Sequence, residues 1–272
     1  MKKRSEKPHK HKRINNIETL PNTEDEFRLN KFIAHAGVCA RREADLLIAA
    51  GKVSVNGKPV TEMGVKVKST DKVKVEGKVI GLEPFVYILM NKPKNTITTT
   101  SDEKGRNTVL DLIEEDTGHR VYPVGRLDRN TTGALLLTND GDLANRLMHP
   151  SYKVRKIYKV TTAEPLTDEQ LINLETGVQL EDGLAMAKQV KRSTVDPNSF
   201  SLTLFEGRNR QVRRMVETLG GVVEKLDRTT YAGLNTKGLR MGRWKNLNNR
   251  EISELRVLVK LDEPKSIKRK RK

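Results

Sequence analysis

Residues 125–138, GRLDRNTTGALLLT, join a polar, turn-forming half to an apolar half suited to a sheet. Gly125 and Gly133 flank the polar part, so the loop there can bend tightly and let a ligand's backbone come close. Asp128 sits in that loop between Leu127 and Arg129. It reads as a turn residue, as a cap or ion-pair partner of Arg126 or Arg129, or as a reactive group.

The segments around this stretch set the fold class. FVYILMNKP (85–93) reads as a buried strand ended by Pro93, and NTVLDLI (107–113) as a helix. VYPVG (121–125) leads into the loop, and GDLANRLMHP (141–150) is helical. RKIYKVTT (155–162) alternates as a strand. TDEQLINLETG (167–177) is a helix whose capping box runs from Thr167 to Gln170. SFSLTLFEG (199–207) alternates again, and NRQVRRMVETLGG (209–221) is helical. Strands and helices alternate with some neighbours close enough to pair antiparallel, so an α+β domain around one mixed sheet is expected over 84–258.

The piece before it, 27–83, is a smaller module. Leu29, Phe32, Ile33 and Ala36 recur at helical spacing until Gly37, and residues 41–51 form a second helix closed by Gly51. KVSVNGKPV and DKVKVEGKVI then alternate valine with lysine, with a hairpin turn at Asn56-Gly57. The boundary is expected near 81–84. Residues 1–26 and 259–272 are charged and poor in large apolar groups, which predicts a disordered basic arm and a basic tail.

Composition narrows the partners. Lys and Arg number 52 against 35 Asp and Glu, a formal net charge of +17. Such an excess favours polyanions, nucleic acid before an anionic membrane. No apolar run nears the ~20 residues of a spanning helix. Cys39 is the one cysteine, so no internal disulfide forms and a reducing cytoplasm is expected. The five histidines lack ligand spacing, and no phosphate-cradling or dinucleotide glycine motif occurs. Chemistry without a metal or cofactor is therefore expected.

Three more stretches join Asp128 as site candidates. Tyr158 lies between lysines on the strand 155–162, with Lys156 and Val160 on its face, either stacking on a base or filling a core. On the helix 209–221, Val212, Met215, Val216 and Leu219 make an apolar stripe. Arg213 borders that stripe while Arg210 and Arg214 point to solvent, which makes Arg213 the better holder of a carboxylate or phosphate. Lys92 ends the strand 85–93 at a point where clefts commonly open.

RLNKFIAHAGVCARREADLLIAAGKVSVNGK (28–58) resembles an S4 RNA-binding domain, with Ala40 where most such sequences carry a capping serine. The resemblance implies RNA contacts from Arg28, Lys31, Arg41, Arg42 and Lys52. NKP, GRLDRNTTGALLLTNDGDLANRLMHP, RKIYKV and EGRNRQVRRM together resemble the RsuA-type pseudouridine synthases over nearly all of 28–258. Asn95, Ala134 and Arg210 depart from residues common in that family. The resemblance implies isomerisation of uridine to pseudouridine in ribosomal RNA after the base is flipped out. Asp128 is then the catalytic aspartate, Tyr158 stacks on the target base, Arg213 partners the aspartate, and Arg126 and Lys92 join the substrate site. HPS (149–151) leans toward the large-subunit enzymes of the B type, hence 23S RNA or its precursor particle, with a monomer acting. The rival reading from charge alone is a non-catalytic ribosome-assembly factor.

Overall fold

In the computed structural model of the chain, residues 26–113 and 118–261 are described. The basic arm and tail expected at the two ends fall outside them, apart from Glu26 and residues 259–261. The smaller module holds β1 (Glu26–Arg28), α1 (Leu29–His35), α2 (Arg41–Ala49), β2 (Val53–Val55), β3 (Lys58–Pro59), β4 (Lys66–Lys68), β5 (Val73–Val75) and β6 (Lys78–Ile80). Its core gathers Leu29, Phe32, Ile33, Ala44, Ile48 and the inward valines. Asn56 and Gly57 both take positive φ at the β2–β3 turn, as a two-residue hairpin requires. Ala40 supplies no side-chain cap to α2; the Glu43 carboxylate instead accepts from the Ala40 N–H at 2.8 Å. One half of a capping box thus replaces the missing serine.

The larger domain continues with β7 (Tyr87–Lys92), β8 (Tyr122–Pro123), β9 (Thr132–Thr138), α3 (Gly141–Met148), β10 (Lys156–Thr162) and α4 (Asp168–Thr176). Then come β11 (Val178–Leu180), β12 (Gly183–Ala185), β13 (Lys188–Arg192), β14 (Ser199–Leu204), α5 (Gln211–Thr218), β15 (Val223–Tyr231), β16 (Leu234–Asn235), β17 (Trp244–Asn246) and α6 (Asn249–Leu258). Its main sheet runs β13-β14-β10-β15-β9-β7-β17, with β8 beside β9 and β16 beside β15. Every pairing in it is antiparallel except β9 with β15.

Period-two alternation sends the sheet's apolar residues into two cores. Ile88, Met90, Leu135 and Leu137 pack with Leu171 and Leu174 of α4 and Val212, Met215 and Val216 of α5. Tyr87, Leu89, Ala134 and Leu136 face the other way, against Leu143 and Leu147 of α3 and Leu255 of α6. Each such side chain contributes roughly 1.5–3 kcal/mol on burial, so both faces of the sheet must be covered. Val259 is fully buried and Leu261 packs beside it, so the compact domain runs past 258. Asp140 caps α3, and its buried carboxylate also takes the Tyr87 hydroxyl at 2.8 Å and Arg256 at 2.7 Å.

The helix expected over 107–113 is absent. Ile97 and Thr108 form a bridge, extended by the Val109 N–H donating to the Ile97 carbonyl. The side chains of Thr108 and Asp111 each accept from the other's N–H. Pairing with Ile97 takes the Val109 donor and the Asn107 carbonyl, the two side chains take the donors of Thr108 and Asp111, and residues 111–113 form a turn. The two modules touch where Lys31 meets both Asp142 oxygens at 2.8 Å and the His35 ring stacks on Phe85 at 4.8 Å.

Candidate active site

An open cleft of about 790 Å³ is bounded by the loop 125–129, by Lys156 and Tyr158 of β10, by residues 205–210, and by Met148 to Pro150. The sheet fixes its geometry. The registers of β7, β9, β15, β10 and β14 set Lys92, Gly133, Arg228, Tyr158 and Leu202 in one continuous row. A bulge between Ile157 and Tyr158 shifts the β10–β15 pairing at that row, which is where bulges commonly re-aim a side chain.

Gly133 has φ +103°, and a Cβ there would lie 2.3 Å from the Arg228 carbonyl oxygen. Only glycine lets β9 and β15 come this close. The loop before it is clamped from two sides. The Lys92 ammonium, fully buried, donates to the carbonyls of Pro93, Asp128, Arg129 and Thr131 at 2.9–3.2 Å. The Thr98 hydroxyl donates to the Leu127 carbonyl at 2.9 Å and accepts from its N–H. Burial pulls the Lys92 ammonium down to about 8, opposed by the Asp128 charge, with Arg228 adding a further downward push. The accepting carbonyls favour the charged form.

Held this way, Asp128 is half-buried on the cleft wall. Arg213 is nearly buried, gives one guanidinium nitrogen to the Val223 carbonyl at 2.9 Å, and lies within electrostatic reach of Asp128. Burial and then Arg210 pull Arg213 below its ordinary value, while Asp128 pulls it back. Tyr158 is 9% exposed and its exposed part lines the cleft. Arg126 is exposed on the same wall. Lys92 is not on that wall; it lies beneath the loop with no exposed surface.

The helix arginines divide differently from the sequence expectation. Arg214 does not point freely to solvent but grips both oxygens of Asp182, at 2.9 and 3.0 Å. Arg208 adds bonds to the carbonyls of Asp182, Gly183 and Leu184. The pair straps the β11–β12 turn to the cleft's edge. Arg210 sits at φ +47° ahead of α5 and reaches Glu217. Asn95 takes φ +60°, the left-handed turn that asparagine tolerates where glycine is common.

Sequence reasoning overlooked Arg228 and gave Lys156 no role, though both line the cleft. Arg228 is buried, donates from Nε to the Ala134 carbonyl at 2.8 Å, and lies over the Tyr231 ring at 4.5 Å. In the smaller module Arg28, Arg41, Arg42 and Lys52 are exposed, Lys52 being paired with Glu76. Lys31 is engaged with Asp142 of the larger domain. Among the described residues, no three His, Cys, Asp or Glu gather as metal ligands, and no helix is long and apolar enough to cross a membrane.

A carboxylate at a cleft mouth beside an aromatic face and several cations suits a planar ligand joined to anions. The model of the RNA pseudouridylate synthase family matches residues 86–218, and that of the S4 domain matches 27–73. The chain is 46% identical to the ribosomal large subunit pseudouridine synthase B of Bacillus subtilis (strain 168) over 236 residues, 85% of this chain and 96% of that one. The chain belongs to the RNA pseudouridine synthase family. It is also 39% identical, over 85% of its length and 79% of the relative's, to the dual-specificity RNA pseudouridine synthase RluF of Escherichia coli O157:H7. A solved pseudouridylate synthase superposes with a TM-score of 0.61 at 30% identity, covering 84% of this chain and 99% of the other. The α+β architecture with its N-terminal S4 domain is that of this family.

Proposed function

We propose that this synthase isomerises a uridine in ribosomal RNA, in the large subunit, with Asp128 as the catalytic group. The observation that carries the reading is the clamped Asp128 loop opening onto a cleft that Tyr158 lines. The reaction breaks the N1–C1′ bond, turns the uracil, and joins C5 to C1′, with the C5 proton released and a proton taken up at N1. It needs a carboxylate near the sugar, to attack C1′ or to take the C2′ proton. Arg213, within electrostatic reach of that carboxylate, is its partner. Tyr158 supports the base while it is detached and turning, and Arg126 meets flanking phosphate. Lys92 holds the loop instead of touching RNA. Flipping the nucleotide costs roughly a few kcal/mol, offset by the exposed arginines of the S4 domain and the cations of the cleft. The large-subunit assignment rests on the similarity to the Bacillus subtilis enzyme. A monomer in the cytoplasm, where the single Cys39 stays reduced, completes the reading.

The test is tritium release from rRNA labelled at uridine C5. The wild-type chain releases tritium and Asp128→Asn does not. Release at the normal rate by that variant removes Asp128 from its role. No release by the wild type favours an assembly factor.

A further inference from the structure

Lys156 stands two residues before Tyr158 on β10, about 6.6 Å along the strand, and lines the same cleft. Its ammonium has one bond among those seen, to the Val154 carbonyl at 2.9 Å, so donor capacity remains. Beside it lies Arg228, 3% exposed, whose Nη2 has no hydrogen-bond partner. The nearby carboxylate, Glu206, is already engaged by Gln211 at 2.7 Å and by Arg208 at 3.3 Å. Two cations therefore share a partly buried stretch of the cleft, and of its two lining carboxylates Asp128 is the reacting group while Glu206 serves other residues. A neutral carbonyl of the base would leave that charge uncompensated, whereas a phosphodiester carries the matching negative charge.

We propose that Lys156, backed by Arg228, is a binding residue for the phosphodiester adjoining the flipped uridine. This rests on the reading of Asp128 and Tyr158 given above and adds a subsite to it. The separation from Tyr158 is about one sugar's width, so a base on the tyrosine brings its own linkage to the lysine. Burial first, then the Arg228 charge, pulls the Lys156 ammonium down to about 8 against the pull of Glu206, and an incoming anion reverses that. Lys156 is thus an anchor for the nucleotide, distinct in task from the aspartate that reacts.

The experiment is a cycle between protein and RNA, read as equilibrium binding in an Asp128→Asn background that prevents turnover. The ligand is an oligonucleotide spanning the converted uridine, unmodified or with one neutral methylphosphonate linkage 5′ or 3′ of it. Lys156→Met weakens binding of unmodified RNA roughly ten-fold and lowers the salt slope by about 1. With the methylphosphonate at the contacted linkage, the same substitution has no further effect; at the other linkage it keeps its full effect. Lys156→Arg retains both binding and coupling. Equal losses on all three RNAs, or an unchanged affinity in Lys156→Met, overturn the proposal, as does an arginine variant as weak as the methionine one. Tritium release by the wild-type chain is unaffected by that failure, so the subsite and the catalytic reading fall separately.

Discussion

Lys92→Met separates a loop clamp from a substrate contact. Methionine nearly matches the stem's volume, so packing is preserved and the ammonium alone is lost. Four carbonyls then lose their shared donor, that of Thr131 in a fully buried contact and the other three in partly buried ones. An ammonium has three protons, and a hydrogen bond to a charged group is worth about 1.5–3 kcal/mol. Against this stands relief of the burial that holds the ammonium down at about 8, at about 1.4 kcal/mol per unit. The balance is a loss of roughly 2–4 kcal/mol, and about 10 °C in melting temperature for a domain of this size. The loop carrying Asp128 also loosens, and a misplacement of about 1 Å lowers turnover on the order of 100-fold. Thermal unfolding of the full chain, with kcat and KM from tritium release, checks both effects. A variant that melts with the wild type and loses only in KM would refute the clamp and return Lys92 to the substrate.

Gly133→Ala drives a methyl into the Arg228 backbone at a positive φ, and roughly 3 kcal/mol or more of stability is lost; denaturant unfolding with an unshifted midpoint contradicts the close approach. Asp140→Ala removes the α3 cap and the buried partner of Arg256, an expected loss of about 3–5 kcal/mol measured the same way. RNA affinity declines as pH rises through about 8, because Lys156, facing Arg228 and Tyr231 of β15, Glu206 after β14 and Tyr158 of its own strand, loses its proton. Binding between that pH and the lysine's ordinary range takes up a proton, visible as buffer-dependent heat in calorimetry and absent in Lys156→Met. The sign for folding is opposite: the depressed lysine lets the free protein gain stability over the same rise. RNA affinity also declines steeply with salt, and a flat titration denies the basic surfaces their part.

Where local pattern and burial agree, the sequence was legible. β9 reads from its own leucines, α4 from Thr167 and Gln170, and the S4 hairpin from Asn56-Gly57. Asp128, Tyr158 and Arg213 stood out as candidates from turn chemistry and periodicity, while the roles proposed for them came from the resemblance; Asp128 and Tyr158 line the cleft. β15 was missed although it is central. Its VEKLDRTTY mixes charges into a strand whose Arg228 is buried through tertiary contacts alone, and a bulge on the β10 pairing breaks the register. Residues 107–113 misled for the converse reason: apolar spacing promised a helix, and a bridge to Ile97 took its backbone. The loop clamp escaped notice because Lys92 is 36 residues from the Asp128 carbonyl it holds, a separation that no local window spans.

β15 alone joins β13-β14-β10 to β9-β7-β17. The ribosome delivers Asp128 and Tyr158 well before it delivers residues 223–231. Until β15 emerges, β10 exposes a bare edge and β9 the end that β8 does not cover, both open to pairing with other chains. The nascent chain therefore cannot join the two halves of the sheet that carry Asp128 and Tyr158 until residues 223–231 are made, and a chain interrupted before 223 keeps those edges open to aggregation.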